Sequence, residues 1–423
     1  MKSSTQEPSI SPFTRAVVCR VCDSHELRNV ISLGEQPLAN SLTSMPVIGG
    51  ITAPLELVQC NSCGTVQLGV DVDAKLMFSN YLWVTGTSAS TVRHCDWLVQ
   101  ETLKRVSSKP SSVLEIASND GTLLSAFGRV GVTPMGVDPA ENLAQITRDQ
   151  NLQTVVAYFS EKVAKDLVST YSVFDVVVAR NVLSHVPDPR DLVSGVSTAL
   201  SEDGIAVIEF HRADIILEQL HYDSIYHEHS LYHSFTSMFR MLQEAGLKVL
   251  DAIPTGISGG SWLIFACHAW SEREPEESVA NIVQRETEIG VGASNTWLDF
   301  GERVRSHKAT VLEFLSSEVE SSRRVMAFGA SARSSTLMNY WFDGCQVLVE
   351  GIIDSSPLKQ GMYSPGLGIP ILSLEEALRR SPDTILLLAF NFEAEIRNLL
   401  ERSGWRGRLA RVLPEPFRVE EFA

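Results

Sequence analysis

The segment YHEHSLYHS, residues 226–234, is the densest polar cluster in the chain, holding three of its ten histidines beside Glu228. Histidine titrates near neutral pH, and a neighbouring carboxylate can orient it and raise its basicity, so the cluster reads as an acid–base site. His229 is the best candidate base, with Tyr226 as its partner or as a donor. A metal reading fits less well. Zincin spacing is H-E-x-x-H, and H-E-H does not put two imidazoles on one helical face. In a helical segment Tyr226 and His229 would share a face; in an extended one His227 and His229 would. A solvated polar turn is the bland alternative. His211 and His221 lack this crowding and read as ordinary surface or core histidines.

A second set of reactive residues lies near the N-terminus. Cys19, Cys22, Cys60 and Cys63 form two C-x2-C knuckles, while Cys95, Cys267 and Cys345 stand alone. Seven cysteines make a poor disulfide pattern. Two facing knuckles give the tetrahedral S4 cage that Zn2+ prefers, with no position left open for catalysis, so the expected metal is structural. The 37-residue spacer is longer than a standard ribbon's, and four free buried cysteines are the alternative. A segment of about 70 residues with few helical periods also needs such a staple.

The elements that must position these residues follow. Short apolar runs at 113–117, 134–138, 174–180 and 204–210 alternate with helical stretches, the pattern of a doubly wound parallel sheet. Residues 247–254 and 259–269 read as later strands, and a helix starts near Ser88. The charged stretch 272–325 reads as a solvated helix pair linking domains, and a second αβ series runs from 323 to 415. The turn EIASNDG holds one glycine, Gly121, where a dinucleotide fingerprint needs three, so NAD and FAD fit poorly. S-adenosylmethionine (SAM) fits better. Glu115, Ser118, Asn119, Asp120 and Gly121 would form its turn. Asp138 and Pro139 end the next strand, where a carboxylate can accept ribose hydroxyls. Phe159 would cover the adenine. Asn181 and His185 follow the fourth strand, at the end where ligands bind in such sheets.

Composition narrows the partners. With 35 Lys+Arg against 51 Asp+Glu, the net charge is −16, which argues against nucleic acid or an anionic membrane. No apolar run approaches the ~18 residues of a membrane helix. Without a visible signal peptide, the cytoplasm is the expected location.

Taken in order, the two knuckles, LGEQPLANSL, EIASNDGTLL, GVDP, NVLSHVPDP, YHEHSLYHS, GISGGSW and GASARSST resemble the SAM-dependent C-methyltransferases of nucleotide-linked deoxysugars, from about Cys19 to about Pro416. The resemblance implies an α/β chain with a zinc-binding domain at 1–72, a Rossmann-like SAM methyltransferase domain at 73–285, and a Rossmann-like nucleotide-sugar domain at 286–423. The implied substrate is a TDP-4-keto-deoxyhexose, methylated beside its ketone, commonly at C3. The implied catalytic set is Tyr81, His185, Tyr226, Glu228 and His229. Arg333, Asp354, Lys359 and Asn391 would meet the nucleotide or its phosphates, with a purely structural role equally open for Asp354 and Lys359. No catalytic metal is needed, and a monomer is the expectation. Four positions depart from the family: Ala117 replaces a glycine, Trp83 a tyrosine, Arg333 a lysine and Phe390, before Asn391, a tryptophan. An oxygen or a non-sugar keto acceptor is the alternative for the methyl group, and a non-catalytic interaction module is a third reading.

Overall fold

The computed structural model describes residues 12–78 and 84–422. Tyr81 and Trp83 lie outside the described residues.

The N-terminal unit contains strands β1 (Phe13–Arg15), β2 (Leu27–Pro37), β3 (Thr52–Cys60), β4 (Val66–Leu68) and β5 (Val70–Val72), then the short helix α1 (Ala74–Phe78). Helix α2 (Ala89–Leu103) starts where Ser88 caps it, its hydroxyl accepting from Thr91 N.

The central unit alternates strand and helix: β6 (Ser112–Ile116), α3 (Thr122–Arg129), β7 (Thr133–Val137), α4 (Glu141–Asp149), β8 (Gln153–Val155), α5 (Glu161–Tyr171), β9 (Phe174–Arg180), α6 (Pro189–Ala199) and β10 (Leu200–His211). It continues with α7 (Ala213–Gln219), β11 (Leu231–Tyr232), α8 (Phe235–Glu244), β12 (Leu247–Thr255), β13 (Ser261–His268) and α9 (Glu277–Ile289). Seven of these strands form one sheet in the order β12-β13-β10-β9-β6-β7-β8. The run from β10 to β8 is parallel, and β13 is antiparallel to both of its neighbours. Val176, Val177 and Val178 on β9 are fully buried, as a strand covered on both faces requires.

The C-terminal unit follows α10 (Ser294–Glu320): β14 (Val325–Phe328), α11 (Ala332–Trp341), β15 (Ile352–Ile353), β16 (Ile371–Leu372), α12 (Leu374–Arg379), β17 (Thr384–Leu387), α13 (Glu393–Ser403), β18 (Gly407–Arg411) and β19 (Arg418–Phe422). Its sheet runs β16-β15-β14-β17-β18-β19, parallel except for the last strand.

Two features go beyond the sequence reading. First, β11 leaves the central unit and pairs with β4, so the N-terminal sheet runs β11-β4-β3-β2. Second, α10 is more than a solvated link. Its Trp297, Phe300, Val304, Val311 and Leu315 are buried in a cluster shared with Ile31 and Leu57 of the N-terminal unit and Trp341 and Leu386 of the C-terminal one. The charges of α10 hide an apolar stripe at helical spacing. A cluster that draws on all three units fixes their relative positions.

Candidate active site

Four parts meet at the carboxyl ends of the central strands. The first is the turn after β6. Ala117, Asn119 and Gly121 all take left-handed conformations there, with φ of 56°, 52° and 78°. Ala117 therefore adopts the geometry that a glycine holds more cheaply, and the departure from the family leaves the turn intact. Asp138 caps the turn: its carboxylate accepts from Asn119 N and Ala140 N, each at 2.9 Å. Burial pushes the Asp138 carboxyl above its ordinary range. Gly121 and Pro139 lie within these two turns. Ser118 Oγ and Glu115 Oε2 are buried with no hydrogen-bond partner, which leaves polar groups for a ligand to satisfy. Burial pushes Glu115 up to about 8 even with Arg180 Nε 4.0 Å away. Asn119 and Asp120 also join this turn to a neighbouring segment. Their side-chain oxygens accept from Thr85 N (2.9 Å) and Gly86 N (2.8 Å), so they latch the segment preceding α2. Phe159 sets its ring edge toward α6, where a Cβ on Gly195 would fall 2.7 Å from it. Asn181 sits just past β9 at φ 50°, its N–H bonded to Glu209 O at 2.7 Å.

The second part is the acid–base segment. Tyr226 to His229 form a tight turn, with His229 N bonded to Tyr226 O at 2.8 Å. The i, i+3 relation then brings the Tyr226 hydroxyl 2.7 Å from His229 Nε2. His229 Nδ1 lies 3.0 Å from Ser224 O. A carbonyl only accepts, so Nδ1 carries the proton and Nε2 is the bare nitrogen that takes the Tyr226 hydrogen bond. Burial, with help from His185 and Arg333, holds His229 well below the usual histidine range. The His185 ring stands edge-on to His229 at 4.8 Å between centroids, and burial lowers His185 to about 4. Glu228 is buried, accepts from Asn40 Nδ2 at 2.6 Å, and is pushed up to about 7. His227 turns the other way, 3.3 Å from Pro54 O. This divergence from His229 removes any shared metal site in the segment.

The third part is the N-terminal unit, which grips this segment from behind. Leu68 N donates to Ser230 O at 2.9 Å, and Arg20 Nε, beside the first knuckle, donates to the same oxygen at 3.4 Å. With β11 on β4, and Asn40 on Glu228, the cysteine unit holds both ends of the acid–base segment. The sulfur atoms of Cys19, Cys22, Cys60 and Cys63 all lie within 4.8 Å of one another. Two of the pairs, Cys19–Cys63 and Cys22–Cys60, are 3.5 and 3.6 Å apart. Four thiolates at about 2.3 Å from one Zn2+ need a spacing near this, so the cage fits the ion.

The fourth part is the turn after β14. Asp354 accepts from Ala330 N and Ser356 N, each at 2.8 Å. Lys359 Nζ donates to Ala330 O at 2.7 Å and lies 3.7 Å from the Asp354 carboxylate. Arg333, on the first turn of α11, reaches out of the unit to Ser258 O at 2.6 Å and to Asp223 Oδ2 at 3.4 Å. Asn391 approaches the same loop: a Cβ on Gly259 would lie 2.9 Å from its Oδ1.

Comparison with known proteins decides the class. Residues 19–78 match a zinc binding domain, 92–252 a methyltransferase domain, and 256–414 the C-methyltransferase C-terminal domain. The chain is 32% identical over 405 residues to the C-methyltransferase NovU of Streptomyces niveus, covering 94% of this chain and 96% of that one. This chain belongs to the C-methyltransferase family. SAM is its methyl donor, and the four-cysteine unit is its zinc-binding domain. A ubiquinone biosynthesis O-methyltransferase of Salmonella paratyphi A is 29% identical over 94 residues, or 22% of this chain and 39% of that one. An SAM-dependent methyltransferase structure from Clostridium acetobutylicum covers 42% of this chain and 92% of its own, at 13% identity and a TM-score of 0.35. No helix among the described residues is long and apolar enough to cross a membrane.

Several residues of this C-methyltransferase site escaped the sequence reading. Arg180 and Glu209 are charged residues at strand ends, and Glu209 is fully buried against His94 Nε2 at 2.7 Å. Charged residues closing apolar runs (FDVVVAR, GIAVIEF) were the available signal. Asn40 and Arg20 had none, because their roles depend on contacts about 190 and 210 residues away in sequence. His211 and His221, read as ordinary, stack on one another at 5.9 Å near Arg333.

Proposed function

We propose that this enzyme methylates the carbon beside the ketone of a nucleotide-linked 4-keto-deoxyhexose, with TDP as the expected nucleotide. The observation that carries the reading is the Tyr226–His229 hydrogen bond of 2.7 Å, a buried acid–base pair in a chain of the C-methyltransferase family. A sugar carbon is not nucleophilic until its proton leaves, and the adjacent ketone makes that proton acidic. In this reading the proton passes to the Tyr226 oxygen as the Tyr226 proton moves to His229 Nε2. The C–H electron pair becomes the enolate. The imidazolium that forms keeps its Nδ1–H on Ser224 O, so the ring does not reorient. Glu228, which burial keeps partly protonated near pH 7, would donate to the enolate oxygen, with His185 positioning the His229 ring edge-on. Tyr81 completes the proposed set in the segment leading to the Thr85–Gly86 latch.

Bound SAM would supply an electrophilic methyl group. Glu115, Ser118, Gly121, Asp138, Pro139, Phe159 and Asn181 would line its site, and Asn119 and Asp120 would hold the latched segment over it. Arg333, Asp354, Lys359 and Asn391 would meet the nucleotide. The proposed division into units is 1–72, 73–285 and 286–423, with β11 lent to the first.

The test is product analysis. The protein is incubated with methyl-13C-labelled SAM and freshly made TDP-4-keto-2,6-dideoxyhexose. A new C–CH3 signal in the NMR spectrum is the expected result. An O–CH3 signal, or transfer only to non-sugar keto acceptors, would overturn the proposal while keeping the cofactor.

A further inference from the structure

We propose that His211 and His221, set beside Arg333, bind the phosphoryl oxygens of the nucleotide-linked substrate; this rests on the substrate class proposed above.

His211 ends β10, and His221 precedes the short turn Tyr222–Ser224. Their rings lie nearly parallel, 14° apart. His221 is 0% exposed and His211 8%. Both nitrogens of His221 and Nε2 of His211 have no hydrogen-bond partner. A neutral imidazole carries one N–H and one lone pair, and leaving them unmet in a dry site is costly unless a ligand meets them.

The surroundings set the class of ligand. His221 packs against Phe390 at 4.8 Å, and the Arg333 guanidinium lies over the same ring at 5.9 Å. A Cβ on Gly259 would fall 3.2 Å from His221 Cε1 and 3.2 Å from Phe390, so only glycine lets the backbone lie against this wall. Arg333 and burial together hold both rings in the neutral form. The charged groups around the pair are Arg333, Asp223, which bonds Arg333, and Arg212, which is closed on Asp214. A cationic ligand would meet Arg333, and an apolar one would leave three ring nitrogens unpaired. An anionic oxygen satisfies N–H donors and relieves the guanidinium at once.

The test uses the full-length protein in calorimetric titrations with thymidine, TMP, TDP and SAM. His221→Phe and His211→Phe keep ring packing but remove the nitrogens. TDP affinity should fall about 10- to 100-fold in each, the size of a lost hydrogen bond to a charged group, while thymidine and SAM affinities stay within about twofold. His221→Gln, which restores a donor, should recover much of the loss. Equal losses for TDP and thymidine, or no loss for TDP with SAM binding intact, would overturn the assignment. A wild-type protein that binds SAM but no nucleoside diphosphate would instead overturn the substrate class beneath it.

Discussion

Asp138 and Asp354 occupy matching places in two αβ units. Each follows the second strand of its unit, and each carboxylate accepts from one N–H in the turn after the first strand and from the N–H two residues downstream of itself. The backbones are alike, but the charged groups around them differ. Glu115 and Asp120 lie at the first turn with Arg180 Nε 4.0 Å from Glu115, whereas Lys359 and Arg333 lie at the second. In the proposed reading the first turn takes SAM and the second the nucleotide's phosphates, so two like scaffolds would serve different ligands through the side chains around each turn. The Tyr226–His229 dyad belongs to neither turn, and its segment is held by the cysteine unit through β11 on β4 and Asn40 on Glu228.

The largest effect should come from the dyad. His229→Asn should lower kcat by about 10³-fold, within the range of a lost general base, while SAM and TDP affinities change less than about twofold. Steady-state kinetics beside calorimetry checks this, and a parallel loss of either affinity would tie the dyad to one turn after all. Zinc removal comes next. Chelation should cost about tenfold or more in activity, because the pairing of β11 with β4 relies on a folded zinc unit. SAM affinity should survive, since the turn after β6 is capped from within its own unit. Metal counting by mass spectrometry with parallel assays would show it.

How much of this was legible in the sequence follows from the range of the interactions involved. Six strands of the central sheet were readable because apolar strands and amphipathic helices alternate locally along the chain, while the three-residue strand β8 was too short to stand out. The cysteine cage was readable from two C-x2-C knuckles, while spacing left the partner of His229 open between Tyr226 and His227 until the tight turn chose Tyr226. The buried face of α10 was masked, because its charged residues dominate composition while its apolar stripe packs on partners from other units. Asn40, Arg20 and the His211–His221 stack were silent for the same reason: each acquires a role only from residues distant in sequence.

Smaller effects sharpen the comparison of the two turns. Asp138→Ala should weaken SAM binding about tenfold and leave TDP binding unchanged, and Asp354→Ala should do the reverse, each losing a cap worth about 1–2 kcal/mol. Crossed titrations decide; a variant that weakens both ligands would show that the turns are coupled. The least pronounced effect concerns pH. The working form of His229 is neutral, and burial, His185 and Arg333 all disfavour the imidazolium, which moves its pKa down. The base form therefore persists as pH falls, and kcat/KM should show no acid-side loss between pH 7 and about 6, where an ordinary histidine of about 6.5 would titrate, while it falls above about 7 as Glu228 loses its proton. A drop at about 6.5 would mean that a solvated histidine controls the step.

The most direct measurement is hydrogen exchange. The ketosugar nucleotide is incubated in D2O with the enzyme and no methyl donor, and the carbon beside the ketone is followed by NMR. Wild type should exchange a single hydrogen there, and His229→Asn should slow that exchange by about the same factor as kcat. Exchange that persists undiminished in His229→Asn, with SAM and TDP still bound normally, would contradict His229 as the base.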